Sequence, residues 1–136
     1  MKDCIFCRIV EGKVPTEKIY EDNKVIAFLD ISPVNFGHAL IIPKKHAETI
    51  MDIEDKELCD AIKIARQISV ALVKIVKADG INVSINNKKA AGQLVPHIHI
   101  HIIPRFNNDN FKFDWPTKKY ADGQMEELTK RIRKEL

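Results

Sequence analysis

Glycine is scarce in this chain: 5 among 136 residues, with no pair or trio at Gly-x-Gly-x-x-Gly or Walker spacing. The two glycine-built phosphate cradles are therefore excluded, and any phosphate recognition must use other groups. Cysteine is also scarce. Its count of 3 is odd, and two of the three lie together in CIFC, so a secreted disulfide framework is a poor explanation. No apolar run approaches the ~20 residues of a membrane span, and the apolar part of MKDCIFCRIV is too short for a signal-peptide core. A cytoplasmic protein with no membrane partner is expected. Neither charge sign dominates, with 22 basic against 19 acidic residues. That balance gives no reason to expect a nucleic-acid partner and only mildly favours an anionic ligand.

What remains is enough for one domain: 136 residues, 45% of them hydrophobic, support a single core. A turn or short helix is expected over Cys4 to Glu11. KIYEDNKVIAFLDI reads as two strands turning at Asp22-Asn23, and HALIIP as a third strand ended by Pro43. Residues 54–78 carry the clearest helix, with Leu58, Ala61, Ile62, Ala65, Ile68, Leu72, Ile75 and Val76 at three-and-four spacing and Gly80 as its stop. GINVSIN follows as a fourth strand, VPHIHIHII as a fifth, and a charged helix runs from about Gly123 to the end. Strands gathered around one long helix with hairpin-like connections predict an α+β domain on an antiparallel sheet.

Residues 96–103 read PHIHIHII. In a strand, alternate residues share a face, so His97, His99 and His101 project together while Ile98, Ile100 and Ile102 anchor the other side. The histidine face is then free for chemistry. Three ligands on one metal are excluded by reach, because residues four apart along a strand are roughly 13 Å apart; at most two neighbours of the trio can share an ion. A neutral imidazole is a good nucleophile near neutral pH, and a second one beside it supplies a hydrogen bond or proton. Three in register after a polar, glycine-containing loop favour that reading over satisfied structural histidines.

Cys4 and Cys7 have C-x-x-C spacing, which is half a zinc site and also a redox motif. The redox form normally accompanies a βαβ pattern, and none is legible here. Cys59, mid-helix beside apolar positions, reads as a packed free thiol.

GQLVPHIHIHIIPR together with DISPVNFGHALIIPKKH resembles the histidine-triad (HIT) superfamily, and the resemblance extends from CIFCRI through Arg105. CIFC and the C-terminal extension make it similar to the zinc-binding, Hint-like branch of prokaryotic type. The resemblance implies a HIT-like α+β fold, a five-stranded antiparallel sheet with one long helix and short N- and C-terminal helices. It implies a single HIT domain over 1–136, with 106–136 as a C-terminal extension.

The same resemblance implies a nucleotide hydrolase acting at an α-phosphate of a purine nucleotide conjugate, with AMP as a typical product. His99 would be the nucleophile and His101 its assistant. Asn86 and Gln93 match positions that hold the phosphate, and Asp30 matches a carboxylate that accepts from the ribose hydroxyls. Phe6, Ile9, Phe28 and Ile31 match an apolar cleft around the base. Zinc is implied as a structural cofactor on Cys4, Cys7, His46 and His97, and no catalytic metal is required. A homodimer is implied as well, with Trp115 and Pro116 in FDWPTKKY near the partner's site. Two departures stand out: Leu94 replaces a family serine or threonine, and Lys88 a loop glycine. The rival readings are a nucleotidyl transferase and a nucleotide-binding module with little turnover.

Overall fold

The computed structural model describes residues 4–112 and 115–136. Its elements run α1 (Ile5–Val10), β1 (Lys18–Glu21), β2 (Val25–Leu29), β3 (Ala39–Pro43), α2 (Asp55–Val76), β4 (Gly80–Ser84), β5 (Ile100–Arg105) and α3 (Gln124–Glu135), with a single 3₁₀ turn at Lys89–Ala91. The five strands form one antiparallel sheet in the order β1-β2-β3-β5-β4, so β5 inserts between β3 and β4. This is the α+β arrangement that the strand and helix patterns predict.

The turn between β1 and β2 is tied by Asp22, whose Oδ1 accepts from Lys24 N–H and Val25 N–H, each at 2.7 Å. Such an Asx-type turn lets the side chain stand in for a backbone partner. β2 then feeds both sides of the sheet. Val25 and Ala27 join Ala39, Ile41, Ile100, Ile102 and the α2 residues Ala61, Ile64, Ala65 and Leu72 in one core cluster. Ile26 and Phe28 join Leu40, Ile42, Cys4 and the α1 residues Phe6 and Ile9 in another. α2 therefore covers one face of the sheet and α1 the other.

α1 spans 6 residues, well below the ~12–15 needed for marginal stability alone. Burial of Phe6 and Ile9, at about 1.5–3 kcal/mol for each side chain, must hold it down.

Several expectations need correction. Ile62 and Ile75 face outward, at 43% and 77% exposure, while Ile64 takes a core place that the spacing had not given it. Cys59 is exposed rather than packed, because it lies off the stripe formed by Ala61, Ile64 and Ala65. α2 stops at Lys77, which adopts the left-handed conformation itself (φ 54°), and Gly80 instead opens β4. β5 starts only at Ile100, so His97 and His99 precede the regular strand. Among the described residues no helix is long and apolar enough to cross a membrane. Phe113 and Asp114, which open the FDWP segment, lie outside the described residues.

Candidate active site and metal centre

Strand register lines up the floor of the site. Phe28 pairs with Leu40 across β2 and β3, and Leu40 with His101 across β3 and β5. On this face α1 forms a roof, with the Phe6 ring centroid 5.1 Å from that of His99 and 6.0 Å from that of His97. The histidine face is consequently not open: His97 is fully buried and His99 is only 5% exposed. Period-two spacing identifies a face but not what covers it.

A cleft of about 500 Å³ lies between α1 and the sheet, lined by Phe6, Ile9, Phe28, Asp30, Asn86, His99 and His101, with Ile31 and Leu94 at its mouth. Ile31, expected as part of an apolar wall, is 97% exposed and is a rim residue. Leu94 is 92% exposed. Among the described residues nothing engages the side-chain amide of Asn86, which faces the cleft beside Gly92. Gln93 behaves differently. Its Oε1 accepts from Lys88 N–H and its Nε2 donates to the Glu48 carbonyl, both at 2.6 Å, so its amide braces the loop. Lys88 (φ 66°) and Gly92 (φ 84°) both have positive φ in that loop, which strains the lysine and suits the glycine.

The hydrogen bonds fix which ring nitrogens carry protons. A carbonyl can only accept, so His99 Nδ1, 2.7 Å from the His97 carbonyl, bears the hydrogen and leaves a lone pair on Nε2. A backbone N–H can only donate, so His38 Nδ1, 3.2 Å from Val34 N, is the acceptor, and His38 carries its proton on Nε2. That Nε2–H donates to His101 Nδ1 at 3.0 Å. His101 in turn keeps its proton on Nε2. The two rings of the pair thus end with opposite roles, His99 presenting a lone pair and His101 an N–H.

Burial keeps these rings neutral. It pushes His101 down to about 4, helped by the neighbouring His99 and His38. Burial likewise lowers His99 and His38, against an opposing pull from Asp30 in each case. Asp30 accepts from Ser32 N–H at 2.8 Å and stands 3.7 Å from His38 Nε2. Asp30, His38 and His101 are close enough to suggest a metal cluster, but the proton on His38 Nε2, donated to His101, makes the two histidines a hydrogen-bonded pair with the Asp30 carboxylate beside it. His38 was not singled out by sequence. The missing signal was the β3–β5 register, which places it beside His101.

Cys4, Cys7, His46 and His97 converge from three parts of the chain, with ligand atoms all within 4.8 Å of one another. Sulfur to Nδ1 distances are 3.5 Å (Cys4–His97), 3.3 Å (Cys7–His46) and 3.6 Å (Cys7–His97), and the two Nδ1 atoms are 3.2 Å apart. A tetrahedral zinc with ordinary bond lengths separates S from N by about 3.6 Å and N from N by about 3.4 Å. The donor set fits. His97 Nε2 donates to the Pro43 carbonyl at 2.9 Å, which leaves its Nδ1 lone pair aimed at the cluster, the usual outer support of a metal-bound imidazole. Burial and the adjacent Cys4 push the Cys7 thiol up to about 11, so a cation at this point would be needed to hold thiolates.

The HIT domain profile matches residues 11–108. The chain belongs to the HIT family. An uncharacterized HIT-like protein of Methanocaldococcus jannaschii is 43% identical over 130 residues, covering 96% of this chain and 98% of that protein. Adenosine 5'-monophosphoramidase of Saccharomyces cerevisiae is 41% identical over 130 residues, covering 95% of this chain and 80% of its own length. Among solved HIT structures, a Bacillus subtilis member superposes with a TM-score of 0.92 at 38% identity, covering 98% of this chain and 97% of the other. A zinc-bound histidine triad family protein from Mycobacterium smegmatis gives 0.78 at 34% identity, with 99% of each chain covered. This chain, a five-stranded antiparallel sheet with one long helix, thus shares the fold of those solved HIT structures.

Proposed function

We propose that this HIT protein is a nucleotide hydrolase that cleaves a purine nucleotide conjugate at its α-phosphate through a nucleotidyl intermediate on His99. The observation that carries this reading is the pairing of opposite tautomers on one cleft wall, a lone pair on His99 Nε2 beside an N–H on His101 Nε2. Relatives named adenosine 5'-monophosphoramidase and adenylylsulfatase support the same class of reaction.

The His99 lone pair forms a bond to phosphorus while the bond to the leaving group breaks. The leaving group departs with that electron pair and takes a proton from solvent. The His97 carbonyl, accepting from His99 Nδ1–H, stabilises the cationic ring so formed. His101 Nε2–H donates to a phosphoryl oxygen or the leaving atom as negative charge develops there. Water then attacks phosphorus, the P–N bond breaks with its electron pair returning to Nε2, and the nucleoside monophosphate leaves as the water's proton passes to solvent.

Asn86 serves the phosphate directly, and Gln93 serves it through the loop that it braces. Asp30 receives the ribose hydroxyls, and Phe6, Ile9, Phe28 and Ile31 flank the base. Phosphoramidates, acyl-adenylates and dinucleoside polyphosphates all satisfy this geometry. Cys4, Cys7, His46 and His97 would hold zinc, whose contribution is to tie α1 to the sheet; catalysis needs no further metal. The domain is taken as 1–136 with 106–136 as an extension, the working form as a cytoplasmic homodimer.

Single-turnover reaction with adenosine phosphoramidate labelled at phosphorus tests this reading. Label should appear on His99 and then be lost to AMP. Nucleotide binding without adduct or turnover on any of the three conjugate classes would leave a binding module instead.

A further inference from the structure

We propose that Asp109 and Asn35 form a positioning clamp that ties the segment after β5 to the loop carrying His38, and so fixes the tautomer of His101. This rests on the catalytic reading of the triad given above.

Asp109 lies one residue beyond the span matched by the family profile, yet its carboxylate is only 6% exposed. It accepts from Arg105 Nε at 2.7 Å and Nη2 at 3.0 Å, from Asn35 Nδ2 at 2.9 Å, and from the backbone N–H groups of Phe106 and Phe111 at 3.1 Å each. These donors hold the Asp109 carboxyl well below the usual carboxylate range, Arg105 contributing most. The third Arg105 nitrogen, Nη1, donates to Asn82 Oδ1 at 2.6 Å, anchoring the group to β4.

The loop between β2 and β3 has little else to hold it. Its apolar side chains Ile31, Val34 and Phe36 are exposed at 97%, 43% and 88%, so hydrophobic burial contributes almost nothing. Three kinds of contact remain. The loop closes on His38, through Asp30 N–H to the His38 carbonyl at 2.9 Å, His38 N–H to the Asn35 carbonyl at 3.0 Å, and Val34 N–H to His38 Nδ1. Gly37, left-handed at φ 94°, lies so close to α2 and β5 that a Cβ would meet Leu72 at 3.1 Å and Pro104 at 3.3 Å. Asn35 Nδ2 spans the gap to the body, donating to Asp109 and to the Pro104 carbonyl at 2.8 Å. Apart from His38 itself, whose ring reaches His101, it is thus the residue in this set that both shapes the His38 turn and reaches outside the loop through a side-chain hydrogen bond.

Released from the clamp, the loop shifts and His38 Nε2–H no longer meets His101 Nδ1. His101 then spreads over both tautomers, and its N–H toward the cleft is partly lost. Displacements of about 1 Å are enough to lower a rate by ~10²-fold in a positioned site.

The test uses the full-length chain with Asn35→Ala, which spares the Arg105–Asp109 pair, and Asp109→Asn, which keeps shape but turns one acceptor into a donor. Two quantities are read: kcat and KM for adenosine phosphoramidate, and the imidazole tautomer of His101 from long-range ¹H–¹⁵N spectra without substrate. In Asn35→Ala we expect kcat to fall about tenfold or more with KM within about twofold, and His101 Nδ1 to move from an unprotonated toward a mixed signal. Asp109→Asn should match it. A folded Asn35→Ala protein that keeps the wild-type His101 tautomer overturns the clamp, whether or not its Tm or activity falls. Should the wild-type chain turn over no nucleotide conjugate, the catalytic reading fails by itself, and the substrate-free tautomer still decides the clamp.

Discussion

His38 Nε2 stands 3.0 Å from His101 Nδ1, and because Val34 N–H fills His38 Nδ1, the proton between the two rings belongs to His38. Removing it should matter more than its distance from the phosphate suggests. His38→Ala should lower kcat by roughly 10- to 100-fold with little change in KM, while His38→Gln, which retains a donor amide, should recover part of the loss. Steady-state kinetics of both variants check this, and equal losses in the two would count against the donor role.

His99→Asn should form no phosphorus adduct and should still bind AMP. His101→Ala should be milder, within the ~10²–10⁴ range of a lost acid–base partner. Intact-protein mass spectrometry after single turnover, with calorimetric AMP binding, separates the two variants.

Purified protein should contain about one zinc per chain. Cys4→Ser or a strong chelator should lower the Tm by several degrees or more, since metal binding is linked to folding. Emission spectrometry and thermal melts are the measurements. Metal-free protein with an unchanged melt would exclude the structural site.

Acid should destabilise the fold in a defined window. His101 is held down to about 4 by burial, against about 6.5 in an unfolded chain, and His99 and His38 are also lowered. Between those values the unfolded chain binds more protons, so stability falls as pH drops from about 6.5 toward 4, and below that His101 adds no further slope. His101→Gln should flatten the dependence of Tm on pH within that window. Turnover should persist below pH 6.5, because the working imidazoles remain neutral there.

α3 buries none of its side chains on its own chain, and Met125, Leu128 and Ile132 stand 40–59% exposed along one side. Ending the chain at Lys112 should therefore leave the Tm of the domain nearly unchanged. If Trp115 and Pro116 lie beside a partner's cleft, the same truncation should alter the ratio of kcat/KM between phosphoramidate and diadenosine polyphosphate. The mass in light scattering should stay that of a dimer, and a monomer or an unchanged substrate ratio would remove the shared-site arrangement.

Legibility in the sequence followed the reach of each signal. The three-to-four-residue period announced α2, and short apolar runs bounded by turn residues announced the strands, because those patterns are local. The C-x-x-C pair showed half a metal site, and the family resemblance supplied His46 and His97, whose ligand atoms do fall beside the thiols. Three things needed tertiary structure. The roof of Phe6 over His99 depends on α1 crossing the sheet. His38 depends on strand register. Gln93 spends its amide on Lys88 and Glu48 in a loop that Lys88 enters with a positive φ, and nothing in the order of residues discloses such a bend.

β2 carries apolar residues on both of its faces, Val25 and Ala27 toward α2, Ile26 and Phe28 toward α1. A strand of that kind has a frame-reading problem. Sliding it by one residue exchanges the two sets yet brings a charged residue, Lys24 or Asp30, into only one of its 5 positions, so the usual penalty against a shifted pairing is weak. The slid frame would carry Phe28 away from the cleft to the far side of the sheet, in a protein still able to collapse. The choice of frame falls to Asp22, whose two short bonds to Lys24 and Val25 fix where β2 starts. One half-buried turn carboxylate, far from the histidines, thereby determines whether the cleft receives the Phe28 ring.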